Sequence, residues 1–298
     1  MRAVLPFELL EPTGPETPVV VEVPHAGLEL PAPFLEPLAA PARALARDAD
    51  LYVDTLYADA PAEGASLLFA RTSRYVVDLN RAEGDVDSEV VEGARADVRM
   101  HHGLVWRTTS EGEPALMRKL RPAELEERLE LVWRPYHRAL AAIIARKRER
   151  FGMAVLIAAH SMPSVERNGA RESAPASSPR SRNGPASAEA RRAEESRARA
   201  DVVPGTRGRR SADARFIDAV EAHAAARGWT VRHDDPYAGG FTTQHYGRPA
   251  TGIHAVQVEL ARRLYLDEAS LRPNDNFVRA RAWCRELVAR LGRVALAP

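Results

Sequence analysis

A chain of 298 residues, 45% hydrophobic and 28% charged, is long enough for one large α/β domain or two small ones and has the balance of an ordinary globular protein. A formal net charge of +1 gives no reason to expect nucleic acid as a partner, and no apolar run approaches the length of a membrane span. The amino terminus lacks a basic region followed by an apolar core, and the one cysteine, Cys284, excludes an intramolecular disulfide, so the expected location is the cytoplasm and the expected thiol a buried structural one.

The first strong signal is Val19–Val23, a run of mostly β-branched residues that reads as a buried strand and leads directly into Pro24-His25-Ala26-Gly27. A histidine on the loop after such a strand is well placed for a site, although a lone histidine is more often structural. Residues 41–60 read as a helix with Leu45, Leu51 and Leu56 as its apolar positions. Its acids, Asp48, Asp50 and Asp54, suit either a solvated face or the third member of a His/His/acid metal site. Residues 67–70 and 75–79 read as neighbouring strands. The second runs into Asp78-Leu79-Asn80-Arg81, which would deliver a carboxylate, an amide and a guanidinium where open α/β sheets bind ligands. The planar fork of Arg81 matches both oxygens of a substrate carboxylate.

Residues 82–114 fit a long loop, with His101 and His102 expected at its surface, and 122–151 carry the spacing of the longest helix, with His137 as a packing residue. Residues 154–159 form another apolar run that ends in a histidine, His160. Two strands that each terminate in a histidine are what a metal site on a parallel sheet needs, and this is the strongest physical signal in the chain. Residues 166–200 are rich in Ser, Pro, Ala, Arg and Glu and lack large apolar side chains, so a disordered insertion is expected there. A helix over 211–227, a strand over 229–232 and a long Gly- and hydroxyl-rich loop over 235–249 follow. Residues 253–260 alternate as a strand in which Glu259 interrupts an apolar stretch, and a carboxylate there must be paired or belong to a site. A helix over 277–291 closes the chain.

Together, Val23-Pro24-His25-Ala26-Gly27, the acid stretch from Asp48 to Asp54, residues 73–81, Trp133 to His137, His160-Ser161-Met162, residues 239–249 and residues 254–260 resemble the N-formylglutamate amidohydrolase family. That resemblance implies a single amidohydrolase domain over 1–298, interrupted by the 166–200 insertion, with a three-layer α/β/α fold around a mixed sheet like that of zinc carboxypeptidases. It implies one zinc ion on His25, His160 and an acid of the Asp48-Ala49-Asp50 stretch, taken as Asp50 in preference to Asp48, with Glu259 as the catalytic base. Asn80 and Arg81 would hold a substrate carboxylate. The family often carries an arginine where this chain has Gln244, beside His245, and Arg248 or Arg74 would then substitute for it. The implied activity is zinc-dependent hydrolysis of N-formyl-L-glutamate in histidine catabolism. The alternatives are an amidase or peptidase for another N-acyl amino acid or short peptide, and a non-catalytic metal-binding scaffold. The implied partner is a small N-acyl amino acid, with neither nucleic acid nor membrane involved.

Overall fold

The computed structural model describes residues 5–95, 100, 102–166 and 198–297. The expectation for His101 and most of that for the insertion, 167–197, fall outside the described residues.

Six strands form the central sheet: β1 (Phe7–Leu10), β2 (Val19–Val23), β3 (Ser66–Ala70), β4 (Ala154–Met162), β5 (Val202–Gly205) and β6 (Ile253–Ala261), in the order β1-β3-β2-β4-β6-β5. The four inner strands run parallel, and β1 and β5 close the edges antiparallel, so the sheet is mixed. Continuous apolar runs are the mark of strands covered on both faces. Val19, Val21, Val155, Ile157, Val256 and Val258 enter one core cluster with Phe216 of α5 (Ala214–Ala225) and Trp283 of α7 (Phe277–Leu296). Their alternates Val20, Leu156 and Ala255 enter the other, with Tyr136, Leu140 and Ile144 of α4 (Arg134–Phe151). Cys284 is buried in the first cluster, where burial pushes its thiol up, as expected of a structural residue. No helix among the described residues is long and apolar enough to cross a membrane.

Four local expectations are corrected. Residues 41–60 form two short helices, α1 (Ala42–Asp48) and α2 (Val53–Leu56), broken where Ala49 turns extended and Tyr52 takes a left-handed φ of 64°. The buried guanidinium of Arg262 takes the carbonyls of Arg47 and Ala49 at 2.6 and 2.7 Å, acceptors that a helix end leaves free. Residues 75–79 are buried turns, not a strand: the Asp78 side chain accepts the N–H of Asn80 at 2.9 Å, a local bond that competes with a ladder. Residues 229–232 make only a single bridge, Val202↔Val231, because Pro204 on β5 has no N–H with which to extend pairing. The expected loop over 235–249 carries a short helix, α6 (Phe241–Tyr246). The long helix over 122–151 is present as α3 (Pro122–Arg128) and α4 joined through a π-helical turn, Leu129–Trp133, which brings the Trp133 indole N–H to the Arg81 carbonyl at 3.0 Å.

Candidate active site

The register between β4 and β6 sets His160 directly beside Glu259, and Ala158 beside Gln257. In a parallel pair such partners share a face, so the histidine and the carboxyl stand together near the carboxyl ends of the strands. His25 comes from the loop after β2. Asp50 comes from the break between α1 and α2, where its N–H donates to the His25 carbonyl at 3.0 Å. The ligating atoms of His25, Asp50 and His160 lie within 4.8 Å of one another, all three buried. Nδ1 of His160 is 3.0 Å and Nδ1 of His25 is 3.5 Å from Asp50 Oδ2, while Ser161 donates to Asp50 Oδ1 at 3.2 Å. Burial opposes ionisation of Asp50, but hydrogen bonds and charge from His160 and His25 outweigh it and hold the carboxyl well below the usual range.

Asp48 is not part of this cluster. Its oxygens accept from Tyr75 Oη at 2.5 Å and from the N–H of Ser110 at 3.0 Å, so it braces the loop that starts at residue 82. The cluster is braced instead by Asp78, whose Oδ1 lies 2.7 Å from His25 Nε2 and whose Oδ2 accepts from Arg74 at 2.7 Å and Trp106 at 2.9 Å. Burial works against the Asp78 charge, yet Arg74, His25 and Arg81 hold its carboxyl well below the usual range. An ionised carboxylate only accepts, so His25 donates from Nε2 to Asp78.

Glu259 is buried beside these groups. Burial and the Asp50 charge push its carboxyl up to about 7, against the pull of His160, Gln257 and Arg199. Gln257 donates to Glu259 Oε1 at 2.8 Å and accepts the Gly240 N–H at 2.8 Å, so the start of α6 orients this carboxyl through one amide.

The remaining expected site residues divide. Asn80 is spent inside the protein: its Oδ1 accepts from the N–H and Oγ1 of Thr242 at 3.0 and 3.2 Å, and its Nδ2 lies 3.2 Å from His160 Nε2. A Cβ at residue 240 would stand 2.3 Å from that nitrogen, so any larger residue there would push the Asn80 amide off its partners. Arg81 has a buried Nε with no hydrogen-bond partner. Arg74 is bound to Asp78 and lies over the Trp106 ring at 4.2 Å. Gln244, His245 and Arg248 are exposed, and no hydrogen bond or ion pair among the described residues ties their side chains to the cluster or to Glu259. His102 is half-buried and stacks on Trp106 with centroids 4.1 Å apart, so it does not lie free on the surface. His137 packs as expected, bonded to Tyr246 Oη and the Leu79 carbonyl, with burial pushing its imidazole down to about 3. Sequence reading missed Gln257 and Arg262. Gln257 was detectable as the second polar residue on Glu259's side of an alternating strand, whereas nothing local marks Arg262.

Two imidazoles and a carboxylate converging beside a second, near-neutral carboxyl, on a mixed sheet covered by helices, define the chain as an α/β protein with a candidate metal centre suited to hydrolysis. Residues 17–266 match the N-formylglutamate amidohydrolase family, and the chain belongs to that family. It is 35% identical over 254 residues to N-formylglutamate deformylase of Pseudomonas putida, covering 84% of this chain and 82% of that one. The enzyme of the same name from Pseudomonas aeruginosa is 34% identical over 257 residues, covering 84% and 83%. The crystal structure of N-formylglutamate amidohydrolase from Ralstonia eutropha JMP134 superposes with a TM-score of 0.82 at 29% identity, over 97% of this chain and 98% of that one. A gene product of Agrobacterium tumefaciens, at 19% identity and a TM-score of 0.63, shares the fold.

Proposed function

We propose that the protein hydrolyses N-formyl-L-glutamate to formate and L-glutamate, with one zinc ion held by His25, Asp50 and His160. The observation that carries this reading is the convergence of those three side chains beside Glu259 in a chain of this family. The donor set fits a catalytic zinc: two imidazole nitrogens and an ionised carboxylate, with three protein ligands leaving a position for reactants. The chemistry that zinc supplies in such a site is Lewis acidity, which polarises a carbonyl and acidifies water. The protein's own groups do the rest. Glu259, with Oε1 held by Gln257, takes the proton of the attacking water at Oε2 and returns it to the departing amine. Asp78 fixes the ring of His25 from behind. Arg81 receives the α-carboxylate. We place the fold as a branch of the zinc-carboxypeptidase arrangement and the reaction in cytoplasmic histidine breakdown, as the family resemblance implies.

The test is formate release from N-formyl-L-glutamate by the purified protein, before and after chelation and after zinc is restored. Activity lost on chelation and recovered with zinc is the expected result; no release by a folded, zinc-loaded protein rejects the reading. A second expectation concerns Asp78→Asn. It exchanges the charged partner of His25 for a neutral amide, and zinc affinity should fall roughly 10- to 100-fold by competition with a chelating dye. Unchanged affinity would show that Asp78 supports only the fold.

A further inference from the structure

One guanidinium that neither motif nor resemblance singled out is held just beyond the strand ends that carry His160 and Glu259. Arg199 precedes β5, and its main chain is fixed on both sides: its N–H donates to the Ser164 carbonyl at 2.9 Å, and its carbonyl accepts from Arg263 at 2.9 Å. The side chain is fixed as well. Nη1 donates to Tyr237 Oη at 3.0 Å and to the Pro163 carbonyl at 3.4 Å, and the guanidinium lies 5.2 Å from the centroid of the Tyr237 ring. Both anchors lead to the reacting groups. Pro163 directly follows β4, three residues beyond His160, and Tyr237 begins the stretch that reaches Gly240, whose N–H orients Gln257 and so Glu259.

What Arg199 lacks, among the described residues, is a counter-charge. Its Nε is buried with no hydrogen-bond partner, and no carboxylate among the described residues pairs with it. Its charge reaches Glu259, where it opposes the effect of burial on that carboxyl. A half-buried guanidinium held in place with donors unspent is built for an incoming anion, and its planar fork suits a carboxylate. Arg81, from the turn after Asp78, is the other guanidinium by the cluster with a buried, unpartnered Nε. N-formylglutamate carries two carboxylates.

We propose that Arg199 is the specificity-determining residue of this site, gripping the side-chain carboxylate of an N-formyl dicarboxylic amino acid while Arg81 holds the α-carboxylate. The assignment rests on the deformylase reading above. It also explains how a chain with neutral, exposed Gln244 recognises a dianionic substrate.

The experiment compares kcat/KM for N-formyl-L-glutamate and for its neutral isostere N-formyl-L-glutamine, using zinc-loaded wild type, Arg199→Gln and Arg199→Lys. Arg199→Gln should lower kcat/KM for the glutamate substrate roughly 10- to 100-fold, chiefly through KM, while the glutamine substrate changes little and the wild-type preference collapses. Arg199→Lys, which keeps the charge without the fork, should recover part of that preference. Equal losses on both substrates would overturn the proposal in favour of a role at the reacting carbonyl or in the fold, and an unchanged preference would overturn it outright. Wild type that releases formate from neither substrate rejects the deformylase reading itself, and this assignment with it, an outcome distinct from the other two.

Discussion

Glu259→Gln is expected to lower kcat for formate release by roughly 10²- to 10⁴-fold, the range general acid–base catalysis supplies, while the zinc content of the purified protein stays at the wild-type level. The substitution keeps the side chain's volume, and its amide oxygen still accepts from Gln257, so the bond that holds this position at 2.8 Å survives. Only proton transfer is removed. In the proposed mechanism, a cation bound at the neighbouring cluster would favour the ionised carboxyl and let the native residue act as a base at neutral pH despite its burial. His160→Ala is the contrast, because it removes one of the three proposed ligands and should lose the metal along with turnover. Elemental analysis beside the kinetics separates the two variants. Zinc depleted equally in both would make Glu259 a ligand and remove it as the base.

The largest expected effect on stability lies at Glu22, on the same face of the sheet. It is fully buried on β2, bonded to Tyr136 Oη at 3.3 Å, with Oε2 lacking any hydrogen-bond partner among the described residues. Burial pushes its carboxyl up to about 8, against the pull of the nearby Thr242 and Tyr136 hydroxyls. The folded-state pKa therefore lies above the unfolded value of 4.5, and the folded protein keeps a proton that the unfolded chain sheds. The stability this proton confers is fully present below about pH 4.5 and is lost progressively as pH rises towards 8. Glu22→Gln is neutral at every pH and escapes that loss. The variant should gain on the wild type as pH rises from 5 to 8, reaching roughly 3 kcal/mol near neutrality at about 1.4 kcal/mol per pH unit. Denaturant unfolding of both proteins at several pH values measures the gap, and a gap independent of pH would contradict the buried, protonated carboxyl.

The limits of sequence reading show in particular residues. The run at 75–79 has the composition of a buried strand and is buried, yet its backbone N–H groups go to the hydroxyl and carbonyl of Ser73 and to the carbonyl of Leu104. Apolar composition reports burial, and burial alone does not distinguish a strand from a packed turn. The Asn80-Arg81 pair presents the same difficulty at the site. Side by side in sequence, they part in the structure, where the amide binds Thr242 and faces His160 while the guanidinium retains an unpartnered nitrogen.

The sequence by itself determined the parallel strands β2, β4 and β6, the flanking helices and the positions of His25, His160 and Glu259 along them, because apolar runs and periodicity are local properties of the chain. Only the tertiary structure decided that Asp50 and not Asp48 faces the histidines, that Asp78 and Gln257 orient the groups beside it, and that Arg199 is anchored to Pro163 and Tyr237. Hydrogen bonds such as that from His160 to Asp50, 110 positions away, depend on which distant segments the sheet brings together, and no local pattern in the chain encodes them.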